Sequence, residues 1–345
     1  MPIQFPSNPS LNQEYTYEGK VWRWDGVSWV GVHQETGIAE EKVWSKYLLQ
    51  NPNRGTRLNS GYSYVTDQRR TRAGTIAASK HFMERSLDQF SSTLWTPAQI
   101  STALWLDAND SGTITLNGST VSQWNDKSGN GRNATQATVA NQPTYIAEGL
   151  NGKGIIDWDG SNDSMEITGA ITTTLAQALS QDNTYSIAFV LQADVINNLP
   201  VLLHVPESNW EFLFEITSTG SLYWGDTPSN YRTYTSGTFA STSRATFFTC
   251  VKTGSGLGEA HAKGTLASTV SGSLSDTPAM SANFLLGSYS SAQYNYNGKF
   301  AEIVITNTAL STADRQRLEG YLAHKWGLAS NLPSDHPYKT SPPTV

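Results

Sequence analysis

At 345 residues the chain is long enough for one large domain with smaller attachments. Only 15% of its residues are charged and 11% are aromatic, a β-rich, polar-surfaced composition that argues against a charged helical enzyme. The single cysteine, Cys250, excludes an intrachain disulfide and a cysteine-based zinc cluster.

The opening "MPIQFPSNPS" has neither a basic nor an apolar stretch of the kind that begins a secretory signal, so none is expected. Residues 1–32 predict a small β-meander. "EYTY", "KVWRW" and "SWVGV" alternate aromatic or β-branched residues with polar ones, and Glu18-Gly19 and Asp25-Gly26 mark the reversals. Trp22, Trp24 and Trp29 place a large apolar area on a module below the ~40 residues at which a domain usually folds unaided. It is therefore expected to dock on something else and to act as an anchor. The stretch "FPSNPSLNQEYTYEGKVWRWDGVSWVGV" resembles short modules of phage tail and fibre proteins.

Residues 33–100 predict a helical and loop connector. In "GTIAASKHFMERSLDQF", Ile76, Met83, Leu87 and Phe90 make one apolar helical stripe, and "AEEKVWSKYLLQ" predicts a further short helix. The net charge of −6 is unevenly spread. Basic and acidic residues number two and three in 1–32, nine and six in 33–100, and twelve and twenty in 101–345. Arg69, Arg70 and Arg72 concentrate the positive charge, which reads as a solvated linker face before it reads as a nucleic-acid contact. No apolar run approaches the ~20 residues needed to span a bilayer, so no membrane partner is expected.

Residues 101–332 hold a dozen short strand candidates separated by turn signals, the pattern of an all-β, two-sheet sandwich. Ile187–Leu191 and Phe300–Ile305 are apolar throughout and are expected at its centre. Cys250, in "RATFFTCVK", reads as a buried small hydrophobe. One helix is expected over Leu310–Trp326, capped by Ser311 with Asp314, ended by Gly327, and buried along Leu318, Leu322 and Trp326. Residues 333–345 are punctuated by proline and are expected to run extended along a surface. The opening "WNDKSGNG…ANQPTY…DG…ND" and the closing "YLAHKWGL" resemble the laminin-G-like, concanavalin-A-like jelly roll of tailed-phage structural proteins and secreted bacterial proteins.

Catalysis finds little support. The chain has no Gly-x-Ser-x-Gly elbow, P-loop, dinucleotide fingerprint or His-Glu-x-x-His, and its six histidines show no metal spacing. Glu211 and Glu215 share a strand face but stand ~13 Å apart, too far for either glycosidase mechanism. Asp157 and Asp159, ~7 Å apart on one face, suit an inverting geometry. Asp159 and Asp163 nevertheless read first as turn residues of "DGSND". Loop aromatics suit sugar stacking or a protein contact, and the candidates are Tyr223, Trp224, Tyr231, Tyr234, Tyr289, Tyr294 and Tyr296.

The resemblance implies more. Related jelly rolls often carry one Ca²⁺, and here Asp107, Asp126, Asn130 and Glu302 would supply oxygens, the alternative being that these loops are simply turns. It implies a non-enzymatic virion protein on the exterior of a tailed-phage particle, as a tail or neck fibre or a capsid decoration. The expected partners are other virion proteins, further copies of the chain in a homotrimer, and a host-surface glycan. A purely architectural role and a capsule depolymerase are the rival readings.

Overall fold

A computed structural model describes residues 8–10, 13–17, 20–24, 27–32 and 93–345, apart from 168–174, 176–178, 180–183, 197–199, 207–210, 228–229, 236–238, 255–256, 272–282 and 290–293. The predicted helical connector through residue 92 lies outside the described residues. The chain divides into two compact units, 1–86 and 87–345.

In the first unit, β1 (Glu14–Tyr17), β2 (Lys20–Trp24) and β3 (Trp29–Val32) form the expected antiparallel meander. Tyr15 lies opposite Trp22, and Trp24 opposite Trp29. The two-residue period of a strand thereby puts all four rings on one face. Trp29 meets Tyr15 edge-on at 6.1 Å and Trp24 at 5.7 Å. Arg23 and Glu14 form an exposed ion pair at 2.7 Å.

The second unit is an all-β-dominated jelly-roll sandwich with a helix after its last strand. Its strands, in order, are β4 (Thr102–Asp107), β5 (Ile114–Asn117), β6 (Thr120–Trp124), β7 (Ala134–Thr135), β8 (Thr144–Leu150), β9 (Lys153–Asp159) and β10 (Met165–Ile167). Next come β11 (Tyr185–Ala193), β12 (Val201–Pro206), β13 (Glu211–Ile216), β14 (Leu222–Thr227), β15 (Asn230–Tyr234), β16 (Thr246–Gly254) and β17 (Leu257–Ala262). The last are β18 (Thr265–Leu266), β19 (Thr269–Ser271), β20 (Phe284–Leu286) and β21 (Asn297–Thr306), followed by helix α1 (Thr312–Lys325).

All the ladders are antiparallel. In the first sheet β21 pairs with β11 on one side and with β4 and β9 on the other, and β11 continues to β16, β17 and β18. The second sheet runs β7–β10–β20–β12–β13–β14–β15–β19. Strands β5, β6 and β8 join the two sheets at one end.

The central strands are apolar on both faces because each face meets a different core. Along β11, Tyr185, Ile187, Phe189 and Leu191 enter the core between the sheets, while Ala188 and Val190 enter a second core beneath α1. On β4, Leu104 and Leu106 point into the sandwich and Trp105 points to the helix side. Phe189 meets Phe214 of the facing sheet at 6.3 Å. Helix α1 buries Leu318, Leu322 and the following Trp326, as its spacing predicted. The Ser311 hydroxyl accepts from Asp314 N at 3.1 Å, and Gly327 takes φ +70° just past the helix end. Cys250 is buried in the sandwich core.

The ends of the second unit meet. Trp95 is buried under α1, its N–H donates to Pro343 O at 3.0 Å, and Val345 N donates to Thr93 O at 2.9 Å. Residues 93–100, read from the sequence as connector, thus belong to the sandwich unit. The tail of 333–345 is tied down as well. His324 Nε2 donates to Tyr338 O at 2.8 Å, and His336 Nε2 meets Glu319 at 3.2 Å.

Candidate functional site

Helix α1 covers the outer face of the first sheet only, so the exposed chemistry has to be sought on the second sheet and at its rim. Strand alternation sorts the seven candidate aromatics. Leu222 and Trp224 both enter the core, where Trp224 stacks on Phe214 at 5.2 Å and donates Nε1–H to Tyr185 Oη at 3.2 Å. Tyr234, opposite Leu222, is buried and donates its hydroxyl to Gly258 O at 2.7 Å. Tyr296 is buried against Phe300, with ring centroids 4.5 Å apart. Trp224, Tyr234 and Tyr296 are therefore core residues, and the expectation that they stack on a sugar is corrected. Tyr223, one position out of phase with Leu222 and Trp224, points outward and is half-buried. The Tyr231 backbone lies opposite Gly225, but its side chain is outside the described residues.

Tyr289 and Tyr294 remain, and the fold brings them together. The Tyr289 ring lies parallel to that of buried His204 at 4.3 Å, and His204 Nδ1–H donates to Tyr289 O at 2.8 Å. Tyr294 meets Tyr289 edge-on at 5.8 Å and is 47% exposed. Its backbone sits at φ +54°, a left-handed conformation that a non-glycine residue adopts at a cost of order 1–3 kcal/mol. Val201 N donating to Tyr294 O, and Tyr296 N to Gly287 O, hold that conformation.

Polar groups from two other segments converge on this tyrosine loop. In the turn after β9, Asp159 Oδ1 accepts from Ser161 N at 2.7 Å and Asp163 Oδ2 accepts from Asp159 N at 2.9 Å. Asn295 Nδ2 donates to Ser161 O, and Asn297 Nδ2 donates to Asp159 O at 3.0 Å. Asp194, at the end of β11, donates its N–H to Asn297 O, and Lys299 bridges the carboxylates of Asp194 and Asp157. The close crossing at Gly298 (φ +148°) requires glycine, since a Cβ there would meet Gln192 O at 2.4 Å.

Asn295 Oδ1, buried in this rim, finds no hydrogen-bond donor among the described residues, and Asp157 Oδ1 meets the Lys299 ammonium at 3.6 Å. Burial raises the Asp157 carboxyl above its usual range despite Lys299. Burial, together with the charges of Asp159 and Asp157, lifts Asp163 to about 6 against the opposing hydrogen bond from Asp159 N. Asp159 and Asp163 both serve the turn, as their sequence context suggested, and Asp157 is engaged by Lys299. The rim thus offers an exposed ring to stack on and the exposed carboxylates of Asp159 and Asp194 to accept from hydroxyls.

The four expected calcium ligands do not form one oxygen cage. Asp126 organises its own turn, accepting from Trp105 N, Ser128 N, Ser128 Oγ and Arg132 N. Asn130 turns its amide nitrogen to Thr102 O and Ala103 O. Asp107 and Glu302 do meet, as register partners on β4 and β21. Between them, however, stands Lys325 Nζ, 2.7 Å from Asp107 and 2.8 Å from Glu302. Lys127 takes the other Asp107 oxygen at 2.9 Å and Asp110 at 2.7 Å. The indole N–H groups of Trp105 and Trp326, with the Tyr321 hydroxyl, complete the shell of Glu302. Calcium requires six to eight oxygens at ~2.3–2.6 Å, and this donor set does not fit it. Among the described residues no three His, Cys, Asp or Glu side chains are placed to hold a metal ion. Sequence reasoning missed Lys325, Lys127 and Tyr321 because nothing local pairs them with residues some 20 to 220 positions away.

No protein-family model matches the chain, and no curated protein matches it. Solved structures do. Domain 4 of AbnA, a GH43 extracellular arabinanase from Geobacillus stearothermophilus in complex with arabinotriose, is 14% identical, with 64% of this chain and 98% of that one covered at a TM-score of 0.44. The botulinum neurotoxin serotype G binding domain is 12% identical, with 66% and 54% covered at 0.48. Trypanosoma rangeli sialidase in complex with sialic acid is 11% identical, with 90% and 44% covered at 0.46. The chain spans less than half the length of the sialidase and about half that of the toxin domain.

Proposed function

We propose that this chain is a non-enzymatic, lectin-like protein on the exterior of a tailed-phage particle, and that the Tyr289–Tyr294 rim binds a host-surface glycan. The observation that carries the glycan reading is the exposed Tyr294 ring, braced by Tyr289 on buried His204. Stacking on the ring and hydroxyl donation to the exposed carboxylates of Asp159 and Asp194 would act together. Asp157 and Asp194 share the cation Lys299 and Asp159 adds a further negative charge, so the rim favours neutral or amino sugars over sialic or uronic acids. The phage assignment rests on the sequence resemblance of the leader and of the jelly-roll segments. In it, the meander face of Trp22, Trp24 and Trp29 anchors the chain, and repeated copies in a homotrimer multiply a weak contact.

A glycan array probed with the full chain and with Tyr294→Ala tests the site. Binding of neutral glycans that the variant loses supports it. Binding unaffected by Y294A places the site elsewhere, and no binding at all leaves the architectural reading. New reducing ends after incubation with capsule polysaccharide would instead make the protein a depolymerase. Detection of the chain on the outside of purified particles, by antibody labelling, tests the location.

A further inference from the structure

We propose that Lys325, Asp107 and Glu302 form an autocatalytic cross-linking site, in which the Lys325 amine condenses with the Asp107 carboxyl to an isopeptide bond and Glu302 carries the protons. The register of β4 against β21 sets the two carboxylates directly opposite each other beneath α1. Lys325, in the last turn of α1, places Nζ 2.7 Å from Asp107 Oδ1 and 2.8 Å from Glu302 Oε2. An amine in contact with one carboxyl oxygen needs only a small shift to reach the ~3–3.5 Å at which it can attack the adjoining carbon. Aromatic groups enclose the three side chains. Lys325 Nζ lies 5.3 Å from the Tyr321 and Trp326 ring centres and 3.1 Å from Tyr321 Oη. The Trp105 indole donates to Glu302 Oε1 at 2.7 Å and the Trp326 indole to Oε2 at 2.6 Å. Glu302 is fully buried, and burial raises its carboxyl above the usual range against the pull of Lys325. A carboxylate so placed takes a proton from an ammonium more readily than one in water.

The step balances within the chain. Glu302 accepts a proton from the Lys325 ammonium, and the freed lone pair attacks Asp107 Cγ. The negative charge that develops on Asp107 Oδ2 faces Lys127 Nζ at 2.9 Å. One C–N bond forms and the bond from Cγ to Oδ1 breaks. The two protons that the nitrogen gives up leave with that oxygen as water, and Glu302 ends as the carboxylate it began as. The product keeps its partners, because the new amide N–H faces Glu302 and its carbonyl oxygen faces Lys127. An ion pair held out of water, costly to maintain, thereby gives way to a neutral amide. Lys127 also touches two carboxylates, Asp107 and Asp110. The Asp110 side chain is 42% exposed, however, and the hydrogen bond from Lys127 holds its carboxyl below the usual range, so it is a poor base. With one cysteine the chain has no intrachain disulfide. The isopeptide bond instead ties Asp107 to Lys325 and encloses every strand from β5 to β21 in one covalent loop.

The test is the intact mass of the full chain in denaturant, followed by peptide mapping. The native chain should be lighter than its sequence by one water molecule, and its digest should contain a branched peptide joining Lys325 to Asp107. Lys325→Met and Glu302→Gln should each keep the full sequence mass. Asp107→Asn should still cross-link, now releasing ammonia in place of water, a change of mass that no folding defect produces. A native chain at full sequence mass overturns the proposal whatever the variants do. So does a loss of water that persists in K325M, or one that maps to a succinimide at Asp25-Gly26 with no branched peptide.

Discussion

Two polar regions of the sandwich unit are built from similar residues and end in opposite states. Beneath α1, the carboxylates of Glu302 and Asp107 are answered from within the chain by Lys325, Lys127, two indoles and a tyrosine hydroxyl. At the rim, Asn295 keeps a buried oxygen without a donor among the described residues, the carboxylates of Asp159 and Asp194 are exposed, and Tyr294 keeps an exposed ring. A polar network closed on itself stabilises and specifies the fold, while one left open is where an outside molecule finds its hydrogen bonds. The difference comes from position, because α1 seals the first region and nothing described seals the second.

The comparison breaks first at the closed centre. Glu302→Ala should cost about 3–5 kcal/mol in denaturant unfolding, since Lys325, both indole N–H groups and the Tyr321 hydroxyl lose their acceptor together. The open rim should respond in the opposite sense. Tyr294→Ala should weaken glycan binding by about 1–2 kcal/mol, roughly 5- to 30-fold, and leave the unfolding midpoint essentially unchanged. A fall in stability equal to that of E302A would mean that the rim is structural too.

Asp163 sharpens the contrast through pH. Its folded pKa of about 6 lies above the ordinary 3.8. Its contribution to stability is therefore complete below pH 3.8 and is lost as pH rises through about 6. Asp163→Asn should gain about 1–2 kcal/mol at pH 8 and almost nothing at pH 4, read from urea midpoints at the two pH values. The smallest effect is expected outside both regions. Arg23→Ala removes an exposed ion pair in the meander and should change its stability by less than about 0.5 kcal/mol.

Much of the fold was legible in advance. The strand runs, the buried Cys250, the cap at Ser311 and the stripe Leu318–Leu322–Trp326 are local patterns of period two or 3.6, and the structure places them as those patterns require. The candidate site was half legible. Loop tyrosines were the right class of residue, but "SLYWG" and "YNYNG" do not announce which ring turns inward. Trp224 and Tyr296 were misread because their direction depends on strand phase relative to a core that no single segment contains. Asp107 and Glu302 were named with Asp126 and Asn130 as possible calcium ligands, and nothing local showed that Lys325 stands between the first two.

The order of apolar, polar and turn residues by itself determined that this chain makes a meander, a two-sheet sandwich and one late helix, because those signals act over a few residues. Only the tertiary structure decided which charges cancel and which stay open. Glu302 meets Lys325 because β21 turns into α1 and the helix folds back over its own strand. Asn295 meets Ser161, and Asn297 meets Asp159, across loops drawn together by the closing of the sandwich. Electrostatic partnership is a matter of distance in space, and a linear order of residues carries that distance only after the sheets have chosen their register.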